Sequence, residues 1–300
     1  MGWRVIYIDL GEYCSLYLDN LKMENSQRDK ELIIPLKDIH TLIIDNYKTV
    51  LSTQLINAFT KYNINVVLCN IQHMPQSLII PHQGSKSAPM MLRKQLSWTN
   101  VSKSIVHMNI VKAKIYNQLN LLKFTNCDIE SITMVESFYN TLEIGDTTNR
   151  EGLAAKVYFR ALFGKTFKRF KDDVINDGLN YGYSILRSQI SKAILAKGLH
   201  PSLGFFHHGP ENHFNLSDDF IEPFRPLIDI YVYEFMLEEQ VLTKDHRLNL
   251  IIQTTKDIYY KNLKHTFFNV INQYIDGIIA YVETGDLTKI DMPIIKYNEL

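Results

Sequence analysis

The sequence predicts an α+β fold in which a small β-rich domain, residues 1–85, precedes a larger all-α domain, residues 86–300. The first eighty residues consist of short segments rich in aromatic and β-branched side chains, separated by turn residues, as is typical of strands. Beyond residue 100 the apolar residues recur at helical spacing. Between these regions, Ser85-Lys-Ser-Ala-Pro89 is typical of a linker or a mobile loop.

The first domain is predicted to alternate short strands with turns and to hold at least one helix. Gly11-Glu12 and Asp19-Asn20 separate its first three strands. Apolar residues at positions 51, 55, 56 and 59 show the spacing of a helix. The predicted strands cover residues 3–10, 13–18, 21–23, 31–36, 39–44, 64–68 and 78–80, and the helix covers 51–62.

The second domain is predicted to consist of amphipathic helices. Gly198 is a good C-terminal cap for one of them, because glycine adopts the left-handed conformation that ends many helices. We find no internal repeat and no low-complexity tract. The predicted helices cover residues 101–123, 129–143, 151–163, 183–197, 232–242, 248–260 and 263–282.

The composition is that of an ordinary globular protein, with 46% hydrophobic and 21% charged residues among 300. The formal net charge is zero, so any binding of nucleic acid has to come from local basic patches. The longest uncharged run, Tyr62–Ser85, contains Asn, Gln, His and two prolines and is atypical of a membrane span.

The cysteines and the N-terminus favour a reducing cytoplasm. Cys14, Cys69 and Cys127 are odd in number and far apart, which excludes both a disulfide framework and a common zinc motif. Arg4 and Asp9 interrupt the first apolar segment, a pattern unlike that of a signal peptide.

The segment from residue 207 to residue 229 concentrates imidazoles, carboxylates and an arginine among large apolar side chains. Its three histidines, His207, His208 and His213, fall within seven residues. Gly204 and Gly209-Pro210 lie on either side of the histidine pair and predict a tight loop. A lone histidine is usually structural or exposed, whereas this cluster indicates that at least one histidine is functional.

Two acids of this segment share a helix face. Ser217 is predicted to cap a helix, and Asp219 and Glu222 then lie three residues apart on one face. Two such carboxylates repel each other unless a cation lies between them. The alternative is that the acids complement the helix dipole, which explains Asp218 and Asp219 better than Glu222.

Prolines predict a fixed kink after this helix. Pro223 and Pro226 distort the helix just beyond Glu222. A rigid kink at this point would set the directions of Glu222 and Arg225.

Glu151 is a second candidate carboxylate. Residues 147–149, Thr-Thr-Asn, offer N-terminal caps for a helix on which Glu151 shares an apolar face with Ala154, Ala155, Tyr158 and Leu162. Glu151 is therefore predicted to point into the interior or a cleft. The alternative is a first-turn acid that complements the helix dipole.

Carboxylates with one imidazole and no thiolate favour Mg²⁺ or Mn²⁺ over zinc. Such an ion orients and polarises a phosphate. The residue pattern therefore indicates a metal-dependent site for phosphodiester chemistry.

A basic run supports a phosphate-bearing substrate. Between residues 150 and 171, seven basic residues accompany the single acid Glu151. The alternative is a solvated face balanced by Asp172-Asp173. The run begins at a candidate ligand, which favours phosphate contacts. The basic residues are Arg150, Lys156, Arg160, Lys165, Lys168, Arg169 and Lys171.

The chain resembles the large subunit of the CRISPR spacer-acquisition integrase, and most closely the short forms of type II systems. The segments that carry the resemblance appear in family order over most of the chain. They are Gly2-Trp-Arg4, Val50-Leu-Ser-Thr53, Lys94-Gln-Leu-Ser-Trp98, Asn149-Arg-Glu-Gly152, Asn180-Tyr-Gly-Tyr183, the segment from His207, and Asp218-Asp-Phe-Ile-Glu-Pro-Phe-Arg-Pro-Leu-Ile-Asp229.

The resemblance implies a β-rich dimerisation domain, an α-helical catalytic domain and a metal site. The family's ligands match Glu151, His207 and Glu222, with His207 favoured over His208 by the count back from Glu222. Asp219 matches a further acid near the site, and His208 and Arg225 are expected to support it. Mg²⁺ or Mn²⁺ is the implied metal.

The implied partners are double-stranded DNA, a second copy of the chain, the small adaptation subunit and other type II CRISPR proteins. The implied reaction is transesterification, in which the 3′-hydroxyl of a captured DNA fragment attacks a phosphodiester at the edge of a CRISPR repeat. Two other readings remain open. One is a stand-alone metal-dependent nuclease for structured DNA, and the other is a non-catalytic DNA-binding scaffold whose acids only cap helices.

Overall fold

The computed structural model describes residues 2–25, 31–80 and 85–299, which form two compact units. One unit comprises residues up to 88 together with 195–198, and the other comprises 89–194 together with the residues from 199 onwards. Strands dominate the first eighty residues and helices the remainder, so the predicted α+β class is confirmed.

The first unit contains two four-stranded sheets. The strands are β1 (Arg4–Ile8), β2 (Tyr13–Tyr17), β3 (Asn20–Glu24), β4 (Leu32–Pro35), β5 (Ile39–Ile44), β6 (Val50–Leu51), β7 (Asn65–Cys69) and β8 (Pro75–Ile79). One sheet has the order β1-β5-β7-β8, in which β5 is parallel to both of its neighbours and β8 is an antiparallel edge strand. The other sheet has the order β4-β3-β2-β6.

The core of this unit lies around β5 and one helix. All six residues of β5 are buried, as expected for a central strand that is covered on both faces. Helix α1 (Thr53–Lys61) begins where the Ser52 hydroxyl accepts the Leu55 N–H, and it buries Leu55, Ala58 and Phe59 in the same core.

The second unit is built around a long buried helix. The helices are α2 (Ala88–Ser97), α3 (Asn100–Phe124), α4 (Ile129–Asn140), α5 (Arg150–Phe163), α6 (Val174–Ala196), α7 (Asn215–Ile221), α8 (Pro226–Phe235), α9 (Lys244–Gln253) and α10 (Phe267–Thr284). The long helix α3 packs against α4, α5, α8 and the 3₁₀ turn Glu222–Phe224.

The prediction that this region is all-α is wrong at residues 257–266. Strands β9 (Asp257–Tyr260) and β10 (Leu263–Thr266) form an antiparallel hairpin where the sequence analysis placed the end of one helix and the start of the next. Lys261 and Asn262 both have positive φ angles, of 51° and 62°. Two such residues form the turn that matches the twist of a hairpin.

Other predicted boundaries, of two helices and of the linker, are also wrong. The predicted helix 232–242 lies at 226–235 because Pro226 starts α8, where its fixed φ angle suits the first turn. Helix α6 begins at residue 174 rather than 183, and α2 begins inside the predicted linker 85–89.

Over the described ranges, none of the helices combines the length and the apolar character needed to cross a membrane.

Asn117, a buried residue of α3, connects the C-terminal segment to the turn that carries Glu222. Its Nδ2 donates to the carbonyl oxygens of Pro223 at 2.8 Å and Pro293 at 3.1 Å. Its Oδ1 accepts the N–H of Ile295 at 3.1 Å. These groups are buried, so each needs a partner inside the protein.

Asn117→Leu is expected to lower the free energy of unfolding by on the order of 3 kcal/mol, because it leaves two carbonyls and an N–H buried without partners. The matched control is Asn140→Leu at the exposed end of α4, for which we expect a change within about 0.5 kcal/mol. Urea unfolding measures both. Equal losses for the two variants would contradict this role of Asn117.

Candidate functional site

Glu151 and Glu222, both predicted as ligands, converge on one positive charge. The Lys114 ammonium nitrogen lies 2.7 Å from Glu151 Oε1 and 2.7 Å from Glu222 Oε2. The side chains come from α3, α5 and the 3₁₀ turn after α7, so the cluster forms where these elements meet. Lys114 and Glu222 are buried, and Glu151 is partly exposed.

The backbone before α5 orients Glu151. Asn149 is the capping position but has a left-handed conformation and makes no side-chain cap, which corrects the predicted cap at residues 147–149. Instead the Asp146 carboxylate accepts the N–H groups of Arg150 and Glu151, at 2.6 and 3.0 Å. Gly152 leaves room for the Asn149 side chain, since a Cβ would lie 2.5 Å from Asn149 Oδ1.

The backbone after α7 orients Glu222. As predicted, the prolines break the helix: α7 ends at Ile221, and a 3₁₀ turn leads into α8. Arg225 Nε lies 3.1 Å from Glu222 Oε1, and its guanidinium lies 4.5 Å from the centre of the Tyr183 ring. The predicted cap at Ser217 is wrong, since α7 begins at Asn215 and the Ser217 hydroxyl is buried against Ser191.

Asp219 fixes the orientation of His207. The buried Asp219 carboxylate lies 2.7 Å from His207 Nδ1 and also accepts the backbone N–H groups of Phe205, Phe206 and His207. The hydrogen bond to the Asp219 carboxylate raises the pKa of His207 against the effect of burial, and Glu222 adds to that rise. With Nδ1 engaged by a carboxylate, Nε2 is the nitrogen left to bind a ligand.

The structure separates His207 from His208. His208 is exposed and lines a surface cavity of about 350 Å³ together with Lys103, His213 and Asn215. Glu151, His207 and Glu222 are not among the residues lining that cavity. The bond to Asp219 therefore distinguishes His207 from its neighbour.

Sequence reasoning missed Lys114 and His107, both on α3. His107 Nε2 lies 3.8 Å from Glu151 Oε2, and its ring stacks on Phe206 with a centroid distance of 3.9 Å. The two residues are seven positions apart and so share a helix face. Basic side chains repeated on the apolar face of a long helix could have indicated a buried acidic partner.

Opposite charges keep the cluster ionised. Burial disfavours the Lys114 ammonium, but Glu151 and Glu222 outweigh it and raise the pKa of Lys114 above its ordinary value. The Lys114 charge holds the pKa of Glu151 well below its usual range. Burial raises the pKa of Glu222, yet Arg225 and Lys114 together hold it below its usual value. Both acids are therefore carboxylates at neutral pH.

The donors suit a hard divalent cation. Two ionised carboxylates face one cationic centre. His207 offers its Nε2, because its Nδ1 is bonded to the Asp219 carboxylate. Across the described residues, no three His, Cys, Asp or Glu side chains are gathered as a ready metal cluster, and the Lys114 ammonium lies within 2.7 Å of both acids. The chemistry of the donor set fits Mg²⁺ or Mn²⁺.

The comparisons with known proteins identify the family. Residues 6–255 match the family model described as CRISPR associated protein Cas1. The chain belongs to the Cas1 family. The predicted resemblance is thereby confirmed, and the match covers the whole carboxylate cluster.

A curated relative supports this assignment, and two solved structures share the fold. The chain is 32% identical to the CRISPR-associated endonuclease Cas1 of Neisseria meningitidis serogroup C (strain 8013), over 95% of this chain and 92% of the relative. It matches the structure of a casposase bound to integration product with a TM-score of 0.74 at 19% identity, over 96% and 92% of the two chains. It matches a Cas6-RT-Cas1–Cas2 complex with a TM-score of 0.73 at 17% identity, over 96% of this chain and 36% of that one.

The predicted DNA-binding residues of this Cas1 chain lie in different settings. Lys156 and Arg160 are exposed on the face of α5 opposite Glu151, and Lys165 and Lys168 are exposed beyond its end. These positions place any phosphate contact away from the carboxylate cluster. The role of these residues in binding DNA stays a prediction.

The two remaining arginines of the basic run are engaged within the fold. The Arg150 guanidinium lies 5.8 Å from the centre of the Phe138 ring. Arg169 is half-buried and donates to Asn176 Oδ1 at 2.7 Å and Asn180 Oδ1 at 2.8 Å.

A buried network lies behind Arg225. The fully buried Asp229 accepts hydrogen bonds from the hydroxyls of Tyr158, at 2.7 Å, and Tyr183. Tyr183 is also the ring against which Arg225 packs. Burial raises the pKa of Asp229 to about 6, although both tyrosines oppose the rise. The network fixes Arg225 and, through it, Glu222.

The raised pKa of Asp229 predicts a specific dependence of stability on pH. The folded state holds this proton more tightly than the unfolded chain, whose aspartate has a pKa near 3.8. The contribution of Asp229 to stability therefore falls by up to about 3 kcal/mol as the pH rises from about 4 to about 6. Above that range it is constant. Asp229→Asn removes this titrating group. Urea unfolding between pH 4 and 7 should therefore show that the difference in free energy of unfolding between wild type and variant changes between pH 4 and 6. Parallel pH profiles would contradict the assignment.

Proposed function

We propose that this protein is a metal-dependent DNA nuclease and integrase of CRISPR adaptation. The observation that carries the proposal is the convergence of Glu151 and Glu222 on one cationic centre. The orientation of His207 by Asp219 supports it. The name of the Neisseria relative, an endonuclease, supports the nuclease activity. The fold shared with a casposase bound to integration product supports strand joining.

Glu151, His207 and Glu222 would hold Mg²⁺ or Mn²⁺ at this site. When bound, such an ion polarises a phosphodiester and stabilises charge on the leaving oxygen. Asp219 keeps the imidazole in one orientation, and Arg225 keeps the Glu222 carboxylate in place. Before the ion binds, Lys114 offsets the repulsion between the two acids.

The proposed reaction is transesterification on DNA. The 3′-hydroxyl of a captured fragment attacks a phosphodiester at the edge of a CRISPR repeat, one P–O bond forms, and one P–O bond to the repeat strand breaks. The protein contributes by holding the reacting groups together, which removes the entropic cost of their encounter. Water in place of the 3′-hydroxyl gives hydrolysis at the same site.

The proposed partners are duplex DNA, a second copy of this chain through its β-rich domain, and the small adaptation subunit Cas2. The fold shared with a Cas6-RT-Cas1–Cas2 complex supports the Cas2 partner. Other CRISPR proteins of a type II system remain part of the proposal. Lys156, Arg160, Lys165 and Lys168 are exposed and available for sequence-independent phosphate contacts.

A stand-alone nuclease is the second candidate function. It is favoured by the name endonuclease given to the Neisseria relative. It differs from the integrase in needing neither Cas2 nor a free 3′-hydroxyl, so a joining assay separates the two.

The test measures joining of a short duplex with free 3′-hydroxyls to a supercoiled plasmid that carries a CRISPR leader and repeat. Reactions contain Mg²⁺ or Mn²⁺, with and without Cas2. We expect Glu222→Gln and His207→Ala to lower joining by more than about 100-fold, since each removes a donor from the site. His208→Ala, the matched control, should lower joining only modestly because His208 lies in another cavity.

Each outcome discriminates between functions. Joined product that needs Cas2, Glu222 and His207 supports the integrase. Nicking without joining, independent of Cas2, supports the stand-alone nuclease. Full activity in a folded Glu222→Gln variant would contradict the assignment of Glu222 to the catalytic site. DNA binding by the wild type without joining or nicking would support a non-catalytic scaffold.

A further inference from the structure

A loop between α5 and α6, residues 164–173, presents an aromatic ring to solvent among lysines. The side chain of Phe170 is 88% exposed. Lys165 and Lys168 are also exposed, and the Lys171 side chain is 66% exposed. A large apolar ring in such a position has few contacts with its own fold.

The backbone of this loop holds Phe170 in an unfavourable conformation. Its φ angle is +73°, in the left-handed region that residues other than glycine rarely adopt. Bulky residues persist there only where the surroundings determine the backbone, and such sites are often functional. A glycine would remove the strain but also the ring.

A buried asparagine determines this conformation. Asn176 Oδ1 accepts the N–H of Phe170 at 3.2 Å, and Asn176 Nδ2 donates to the carbonyl of Lys168 at 3.1 Å. The same Oδ1 accepts from Arg169, whose guanidinium lies 5.2 Å from the centre of the Phe170 ring. The ring is therefore supported by a cation and held in a fixed loop.

The charges around the ring select its partner. Lys165, Lys168 and Lys171 lie in the same loop as the ring. The acids Asp172 and Asp173 follow them at its end, where Asp173 lies 3.8 Å from Lys171 Nζ. A protein surface that covered the ring would have to desolvate these ammonium groups. A nucleotide satisfies both features, because its base stacks on the ring and its phosphates pair with lysines.

We propose that Phe170 stacks on a base of an unpaired DNA strand while Lys165 and Lys168 contact the phosphates of that strand. The strand must be unpaired, because bases inside a duplex are already stacked and offer no free face. Arg169 then supports the ring instead of contacting phosphate. This inference rests on the proposed function in one respect, since it requires that the protein bind DNA.

The experiment compares Phe170→Gly with Phe170→Trp. Glycine relieves the positive φ angle, so the free energy of unfolding should be unchanged or higher while the ring is lost. Tryptophan keeps a stacking surface. Binding is followed by fluorescence anisotropy in EDTA, with a duplex bearing single-stranded 3′ tails and with the same duplex blunt-ended.

We expect Phe170→Gly to bind the tailed duplex about tenfold more weakly and the blunt duplex as wild type does. Phe170→Trp should bind both as wild type does. A 2-aminopurine placed in the tail should be quenched by wild type and by Phe170→Trp but not by Phe170→Gly. Phe235→Ala, which removes another exposed phenylalanine, at the end of α8, should change none of these values.

The role of the lysines is tested by measuring how DNA affinity depends on salt concentration. Lys165→Gln with Lys168→Gln should reduce the dependence of tailed-duplex affinity on salt concentration, whereas Phe170→Gly should leave that dependence unchanged.

Wild-type affinity for the tailed duplex in Phe170→Gly would overturn the inference and leave the proposed function standing. The same result accompanied by loss of self-association in sedimentation would assign the ring to a protein interface. Failure of the wild type to bind either DNA would instead contradict the proposed function, and the inference with it.

Discussion

The ion pairs of Lys114 with Glu151 and Glu222 are the interaction on which the candidate site depends. Lys114 and Glu222 are buried and Glu151 is only partly exposed, and a buried charge is costly unless an opposite charge lies beside it. Because the three side chains come from α3, α5 and the turn after α7, the cluster forms only when these elements pack in one register. The same packing that makes the fold therefore makes the site.

The surrounding polar groups reduce the freedom of each donor. Asp219 engages one nitrogen of His207 and three backbone N–H groups, so the loop that carries the histidine is tied to α7. Arg225 links Glu222 to the Tyr183 ring, and Tyr183 is bonded to the buried Asp229. Asn117 holds the carbonyl that follows Glu222. A site supported in this way is organised before any ligand arrives, which is what catalysis by positioning requires.

The sequence could predict what depends on local pattern. The fold class followed from the change in periodicity, and Glu151, His207, Asp219 and Glu222 were conspicuous as polar groups among apolar neighbours. Lys114 was missed because its partner Glu151 lies 37 residues away in the sequence. The only local signal was its position with His107 on the apolar face of a long helix, which could indicate a buried acidic partner but not which one. The hairpin at 257–266 was missed because its turn, Lys261-Asn262, lacks the glycine that usually marks one. The cap of α5 was misplaced because Asp146 reaches it across the residues that resembled a cap.

The most direct test of this account is a calorimetric titration of Mn²⁺ into the wild type and into Lys114→Met. If a divalent ion takes the place of the ammonium between Glu151 and Glu222, removal of that ammonium should make Mn²⁺ bind more tightly, since the ion no longer competes with a resident charge. Tighter binding by Lys114→Met, and its loss when Glu222→Gln is added, is the predicted result. Equal or weaker binding in a folded Lys114→Met variant would contradict the claim that the two carboxylates form one cation site.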